Sequence, residues 1–91
     1  MTVIWSDRSR LDMTSIIARV SADNVSASIR LRDCIFGATE KLGDYPTIGR
    51  EGRRAGTREL VVPGTPYLVV YQALRDNALI LRVLHGARDR P

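Results

Sequence analysis

Arginine is the residue type best able to carry chemistry in this sequence, because it supplies thirteen of the fourteen basic side chains. Residues 1–49 carry six basic and six acidic side chains, whereas residues 50–91 carry eight arginines against four acidic side chains. The net charge of +4 therefore lies entirely in the second half of the chain. A guanidinium is a planar fork that matches carboxylates and phosphates. The pattern predicts an acidic partner, protein or nucleic acid, and the alternative is a solvated basic surface.

The candidate functional side chains of that basic half form two groups along the chain. The first group is Arg50, Arg53, Arg54 and Arg58, and the second is Arg82, His85, Arg88 and Arg90. Arginines can stabilise a pentacovalent phosphate and a histidine can transfer protons, so metal-free RNA cleavage is conceivable. The structural alternatives are a strand-end hydrogen bond for His85 and, for Arg82, either a carboxylate partner or a side chain that extends along the apolar surface to solvent.

Signatures of other enzymes and of bound cofactors do not occur in the sequence. It has one histidine, no Gly-rich phosphate loop, no Gly-x-Ser-x-Gly and no His/Cys/Asp cluster with metal-ligand spacing. We therefore expect neither a metal nor a cofactor. The single cysteine, Cys34, cannot form an internal disulfide, fits a reducing compartment, and is expected to fill the core.

The length and hydropathy of the chain predict one cytoplasmic domain, residues 1–91. A chain of 91 residues can bury a single thin core. Its longest uncharged stretch, residues 60–74, is interrupted by Pro63, Gly64 and Pro66. A membrane-spanning helix needs about 20 apolar residues, so no membrane partner is expected.

Two amphipathic helices are predicted in the first half, after a short β-prone run at residues 3–5. Ser6 can cap the first helix, which should end near residues 21–24. Its apolar face comprises Met13, Ile16, Ile17 and Val20. The second helix should end at Gly43, in a left-handed conformation, before Pro46. Its apolar face comprises Ala27, Leu31, Cys34, Ile35, Ala38 and Leu42, widened by Ile29 and Phe36. The pair forms an αα-hairpin.

The second half predicts a mobile basic loop followed by three strands. The loop covers residues 49–56, and Pro63-Gly64 suits a type II turn after the first strand. The strands are expected at residues 58–62, 67–73 and 78–85. The last two strands are apolar on both faces, and the helices can cover only one of them. The other face needs a cover that we expect the chain to be too short to supply, which predicts a protein partner. The alternative is that arginine stems shield this face.

Six blocks of sequence between about residue 3 and residue 89 occur in the order and spacing of one known family. They are Ile4-Trp5-Ser6, residues 41–46, Ile48-Gly49-Arg50, residues 58–67, residues 69–71 and residues 81–89. In these blocks the chain resembles the ParE/RelE superfamily of bacterial toxins. The resemblance implies an α+β fold in which an N-terminal αα-hairpin packs on a small antiparallel β-sheet. It also implies a type II toxin–antitoxin (plasmid stabilisation) system, in which a cognate acidic antitoxin forms a hetero-oligomer with the toxin.

The superfamily has two functional branches, and its ribonuclease branch cuts messenger RNA on the ribosome. That branch places lysines at the positions of Glu59 and Val61 and an arginine at the position of Leu68. Of its catalytic residues only Arg88 has a match, because its catalytic tyrosine would fall beyond the last residue. A different ribonuclease subgroup uses a Glu, an Arg and a C-terminal His, and Glu51, Arg58 and His85 could correspond to that set.

The other branch, which is ParE-like, poisons DNA gyrase by stabilising a cleaved DNA complex and needs no nucleophile or general base. A basic surface without a complete catalytic set resembles this branch more closely, so we favour a gyrase inhibitor. We expect Arg58 and Arg88, with His85 between them, to bind acidic groups. Further candidates for target or antitoxin binding are Arg53, Arg54 and Arg82. The alternatives are a ribosome-dependent endonuclease using Arg58, His85 and Arg88 with Glu51 as a candidate base, and a non-toxic peptide-binding module.

Overall fold

The computed structural model describes residues 1–89, so Arg90 lies outside the described part of the chain. Its elements are β1 (Thr2–Trp5), α1 (Asp7–Asp23), α2 (Val25–Glu40), a 3₁₀ turn (Lys41–Gly43), β2 (Arg50–Glu51), β3 (Arg58–Val61), β4 (Tyr67–Ala73) and β5 (Asn77–His85). The strands form one sheet in the order β1-β5-β4-β3-β2. The two helices cover one face of this sheet, which confirms the α+β class.

Local hydrogen bonds at Ser6 and Asn24 set the ends of the helical hairpin. Ser6 Oγ accepts a hydrogen bond of 3.1 Å from the backbone N–H of Ser9 and so begins α1, as predicted. Asn24 Oδ1 accepts one of 3.0 Å from the N–H of Ala27. The Asn24 N–H itself donates to the Val20 carbonyl at 2.9 Å. Asn24 therefore both ends α1 and begins α2, so a single residue links the two helices of the predicted αα-hairpin.

The buried face of α2 differs from the predicted apolar stripe. Its buried residues are Ser28, Ile35, Ala38 and Thr39. Ser28 Oγ and Thr39 Oγ1 donate to carbonyls three residues earlier, at 2.6 and 2.9 Å, and can be buried because these bonds satisfy them. Burial of these small polar residues turns Cys34 to the surface, so the prediction that Cys34 fills the core is wrong.

Two other predictions for the end of the helical hairpin need correction. Ile29 is half exposed and does not widen the core face, whereas Phe36 packs edge-on against Trp5 with ring centroids 5.2 Å apart. Gly43 closes the 3₁₀ turn without a positive φ, so it is not the left-handed residue that was expected. The chain leaves the helix through a tighter turn instead.

The sheet is mixed, because β1 pairs parallel to β5 while β2, β3, β4 and β5 pair antiparallel. The expected antiparallel sheet is thus confirmed for the C-terminal strands and wrong for β1. The Pro63-Gly64 turn between β3 and β4 is confirmed, since Gly64 adopts the φ of +76° that a type II turn requires.

A β-bulge in β5 decides which side chains reach each face of the sheet. Ile80 lies opposite Tyr71 and Arg82 lies opposite Val70, so Leu81 is an extra residue. Ile80 and Val83 consequently both face the helices. The helix-facing core consists of Met13, Ile16, Ile35, Ala38, Leu42, Val62, Tyr67, Val69, Tyr71, Ala78, Ile80 and Val83.

The opposite face, which we call the second sheet face, carries Leu68, Val70 and Leu84 with the partly buried Leu81. The first three are only 7%, 6% and 4% exposed. The chain therefore covers the centre of this face itself, contrary to the expectation that it was too short to do so. The shallow depression over this face is lined in part by Arg8, Arg54 and Arg82. This arrangement agrees with the alternative that arginine stems shield this face.

Candidate functional site

The basic half of the chain folds into two separate basic regions. We call residues 50–59 the basic hairpin. The second region, the arginine groove, has a volume of about 430 Å³ and is lined in part by Arg30, Tyr67, His85 and Arg88. Arg58 lies opposite Tyr71, whereas His85 lies opposite Tyr67. Arg58 is therefore separated from His85 by four residues along the strand direction, roughly 13 Å, and by two strand spacings across the sheet, roughly 10 Å.

The basic hairpin is an ordered turn, which corrects the prediction of a mobile loop over residues 49–56. Arg50 and Glu51 pair with Glu59 and Arg58 as a short strand. The Gly52 N–H donates to the Thr57 carbonyl at 2.8 Å. Thr57 Oγ1 donates to the Arg54 carbonyl at 2.7 Å. A side chain at position 52 would collide with Thr57, so Gly52 is required for this close approach.

A buried carboxylate fixes the same hairpin from beneath. Glu59 is only 4% exposed and lies opposite Val70, on the second sheet face. Its Oε1 accepts a hydrogen bond of 3.2 Å from Arg50 Nη2, and its Oε2 accepts one of 3.2 Å from the backbone N–H of Arg53. A buried carboxylate is costly without such partners, so Glu59 stabilises the hairpin only in the conformation that supplies both.

Arg58 is held on the other side of the hairpin by backbone oxygens. Its Nη1 donates to the Gly49 carbonyl at 2.9 Å and to the Thr47 carbonyl at 3.3 Å. The same segment is fixed by the buried Tyr71 hydroxyl, which donates to Pro46 and accepts from the Gly49 N–H. Part of the hydrogen-bonding capacity of Arg58 is therefore already used by carbonyls of residues 47–49.

The arginine groove lies between the helical hairpin and the end of β5. Its helical wall comprises Val20, Ala27, Arg30, Leu31 and Cys34. Its other wall comprises residues 64–67 with His85 and Arg88. Apolar side chains on both walls together with two arginines fit a partner that is both apolar and acidic.

The hydrogen bonds of His85 define the chemistry of this groove. His85 Nδ1 accepts from the backbone N–H groups of Ala87 and Arg88, each at 3.2 Å. The ring proton is therefore assigned to Nε2, and within residues 1–89 no hydrogen bond occupies it. The ring packs edge-on against Tyr67, with centroids 5.5 Å apart. His85 consequently lines the groove with Nε2 as a donor and, through Nδ1, positions the turn that carries Arg88.

Arg82 is part of an ion pair that anchors α1 to β5. Asp12 Oδ2 accepts from Arg82 Nε at 2.8 Å and from the Val83 N–H at 3.0 Å. Asp12 Oδ1 accepts from Arg82 Nη2 at 3.2 Å. The hydrogen bond and the charge of Asp12 raise the pKa of Arg82, although partial burial opposes the shift. The sequence expectation of a carboxylate partner for Arg82 is confirmed.

The structure brings together only some of the residues predicted to share a site. Glu51 lies opposite Arg58 in the basic hairpin, and His85 lies beside Arg88 in the arginine groove. The expectation that His85 lies between Arg58 and Arg88 in one surface is wrong, because Arg58 is at the far end of β4.

Arg30 was not among the residues predicted from the sequence and Cys34 was predicted in the core, although both line the arginine groove. The helical residues of that wall, Ala27, Arg30, Leu31 and Cys34, follow the spacing i, i+3, i+4, i+7. That spacing marks one helix face. An apolar stripe that contains an exposed arginine is a signal for a solvent-facing groove, and it could have identified both residues.

Neither a metal site nor a membrane-spanning helix occurs in the part of the chain that the structure describes. No group of three His, Cys, Asp or Glu side chains is placed to hold a metal ion among residues 1–89. In the same range no helix has the length and apolar character needed to cross a membrane.

Comparison with known proteins gives concordant matches over nearly the whole chain. The family model of the ParE toxin of type II toxin–antitoxin systems, parDE, matches residues 3–90. The proposed toxin Y4kP of Sinorhizobium fredii is 36% identical over 87 residues, which cover 96% of this chain and 90% of that protein. Toxin RelE2 of Caulobacter vibrioides is 33% identical over 86 residues, which cover 94% of this chain and 96% of that protein.

A solved structure shares the fold. A chain of the chromosomal ParDE toxin–antitoxin system from P. aeruginosa superposes with a TM-score of 0.83 at 18% identity, over 93% of this chain and 95% of that chain. The fold and the matches define a toxin of a type II toxin–antitoxin system. Within that class the chain belongs to the ParE toxin family, and membership implies a cognate antitoxin.

Proposed function

We propose that this toxin inhibits DNA gyrase by binding the enzyme and stabilising its cleaved DNA complex. The observation that carries the proposal is the state of His85, the single histidine. Its Nδ1 accepts two backbone N–H groups, which leaves Nε2 as a hydrogen-bond donor. A neutral ring held in this way has its one lone pair, on Nδ1, engaged by backbone N–H groups and is not placed to act as a general base. The ring suits the binding of an acidic group instead. The other candidate base, Glu51, lies in the basic hairpin and not in the groove.

The separation of the nuclease candidates supports the same function. A metal-free ribonuclease must bring its proton-transfer groups and its phosphate-binding groups within hydrogen-bond reach of one scissile phosphate. Glu51 and Arg58 lie in the basic hairpin, whereas His85 and Arg88 lie in the arginine groove. An inhibitor that acts by binding needs no such convergence.

The arginine groove is the surface that we assign to the target. Arg30 and Arg88 can pair with carboxylates of gyrase, and the Nε2–H of His85 can donate to a third acceptor. Leu31 and Tyr67 supply apolar surface for the same contact. Arg58 stays a candidate on the basic hairpin, although backbone carbonyls already hold part of its guanidinium.

The second sheet face is the surface that we assign to the antitoxin. Its apolar centre is Leu68, Val70 and Leu84, and the arginines Arg8, Arg54 and Arg82 line the depression above it. An acidic antitoxin segment can place carboxylates against these arginines and an apolar side chain against the partly buried Leu81. The centre of the face is already covered by the chain itself. Because gyrase and the antitoxin act inside the cell, we place this toxin in the cytoplasm.

The direct test is a gyrase assay with purified components. Toxin, gyrase, ATP and supercoiled plasmid are incubated, and cleaved complexes are trapped with detergent and digested with protease. We expect linear plasmid to accumulate with increasing toxin and to disappear when the antitoxin is added.

The endonuclease alternative and the binding-module alternative predict different results. A ribosome-dependent endonuclease would leave the plasmid intact and produce defined cuts in translated messages, which primer extension would map. A non-toxic peptide-binding module would produce neither product and would not arrest growth when the folded chain is overexpressed. Either result would contradict gyrase inhibition.

A further inference from the structure

The basic hairpin differs in chemistry from the arginine groove. The depression on the Arg58 side of the hairpin is lined by Glu51, Gly56, Thr57, Arg58 and Ala73, so this side offers a single apolar side chain. On the other side Arg54 also lines the depression over the second sheet face. The arginine groove is walled by several apolar side chains instead. Protein–protein interfaces have an apolar core, whereas nucleic-acid interfaces are polar, wet and strongly positive. The hairpin therefore fits a solvated polyanion better than it fits an apolar peptide.

The charge that the hairpin presents to solvent comes mainly from Arg53 and Arg54. Both residues are exposed, and neither forms an ion pair within residues 1–89. Arg50 is instead paired with the buried Glu59 at 3.2 Å. Two adjacent guanidinium groups on one ordered turn can each bind a phosphate oxygen through a planar fork.

The turn that carries these arginines is fixed before any ligand binds. Glu59 accepts a hydrogen bond from the Arg53 N–H, and Thr57 donates to the Arg54 carbonyl. The backbone of both arginines is therefore held directly by hydrogen bonds. A ligand then bears little of the entropy cost of ordering the loop, which favours binding.

We propose that the basic hairpin binds the phosphate backbone of double-stranded DNA, with Arg53 and Arg54 as phosphate contacts and Glu59 as the positioning residue. This goes beyond gyrase inhibition, because it is a contact between the toxin and DNA rather than between the toxin and the enzyme.

The first test measures DNA binding by the toxin alone. Fluorescence anisotropy with a labelled duplex of about 30 base pairs gives the affinity over a series of salt concentrations. Each lost phosphate contact lowers the slope of log K against log salt by about one, so Arg53→Ala/Arg54→Ala should lower it by about two. At low salt the affinity of this double variant should fall at least about tenfold.

The matched control is Arg10→Ala/Arg19→Ala, which removes the same charge from exposed positions on α1. We expect this control to keep most of the slope and of the affinity. Equal losses in the two double variants would show that only general basicity matters and would overturn the proposal. Absence of wild-type binding at low salt would overturn it as well.

The second test separates the position of Glu59 from its charge. Glu59→Gln removes a negative charge but keeps an oxygen that can accept from the Arg53 N–H, so DNA binding should be retained or strengthened. Glu59→Asp keeps the charge and shortens the reach, so binding should weaken severalfold. If binding followed charge alone, Glu59→Asp would match the wild type, and that result would remove Glu59 from the proposal. Thermal melts confirm that each variant is folded at the assay temperature.

Neither test contains gyrase, so both outcomes are independent of the target proposed above. If the wild-type toxin binds DNA as expected but produces no cleaved gyrase complexes, only the gyrase proposal is contradicted. If the hairpin double variant binds DNA like the wild type but loses the antitoxin, the hairpin is a protein-binding surface and the present inference is wrong.

Discussion

At the residue scale, the arginines of this chain divide into those used within the fold and those presented to partners. Arg82 is bound to Asp12, and Arg50 is bound to Glu59. Arg53, Arg54 and Arg88 form no ion pair within residues 1–89. The sequence predicted which residue types matter, but it could not assign these roles. The Arg82 partner lies 70 residues away, and the geometry of the Glu59 contact depends on how the hairpin turns.

Arg88→Ala should reduce toxicity without unfolding the protein. The side chain is exposed and lines the arginine groove, so its loss removes a contact to the partner and none to the core. A charged hydrogen bond at an interface corresponds to roughly a tenfold change in affinity, and we expect a similar rise in the toxin level needed to arrest growth. The measurement is growth after graded induction.

The matched control for that variant is Arg19→Ala, an exposed arginine on α1. It should keep the toxicity of the wild type. If Arg88→Ala arrests growth at the wild-type induction level, Arg88 does not belong to the functional surface.

Asp12→Ala should destabilise the fold. The variant leaves Arg82 and the Val83 N–H without their acceptor at a site where the carboxylate is only 10% exposed. Leaving such groups unpaired costs about 2 kcal/mol, which lowers the melting temperature by roughly 8–16 °C in a chain of this size.

The control for this stability prediction is Asp33→Ala, which removes an exposed carboxylate 3.9 Å from Arg32. An exposed pair contributes little, so its melting temperature should stay within a few degrees of the wild type. Equal shifts in calorimetric melts of the two variants would refute the anchoring role of Asp12.

At the element scale, the sequence predicted the order of the main helices and strands but not every face or pairing. Periodicity located α1 and α2, and alternation with turn residues located β3, β4 and β5. Three features escaped because each depends on how side chains and strands pack, and only one of them, the pairing of β1 with β5, joins residues distant in sequence. The α2 face shifts where Ser28 and Thr39 bond their own helix, β1 pairs parallel to β5, and Glu59 orders the hairpin.

Two glycine substitutions should change stability in opposite directions. A methyl group on Gly37, exposed in the last turn of α2, would meet no atom within 4 Å, so Gly37→Ala should stabilise by about 0.5–1 kcal/mol. Gly64 has a φ of +76°, which an L side chain adopts poorly, so Gly64→Ala should destabilise by about 1 kcal/mol. Urea unfolding of both variants measures the difference, and changes of the same sign would contradict the assigned helix and turn.

At the scale of the whole molecule, the charge asymmetry of the sequence becomes two basic regions at opposite ends of β4. The sequence predicted an acidic partner, and family membership implies a cognate antitoxin. The sequence did not predict two basic regions, because Arg30 joins His85 and Arg88 only when the helical hairpin packs beside β5. The predicted apolar second face exists, yet the chain covers its centre itself, which the count of residues could not show.

The most direct measurement of the central claim is pulse labelling of DNA and protein synthesis within minutes of inducing this toxin alone. If the toxin inhibits gyrase, thymidine incorporation should fall early while methionine incorporation continues. The Arg88→Ala variant should delay that fall. An early collapse of methionine incorporation, with thymidine incorporation maintained, would contradict gyrase inhibition and identify translation as the target.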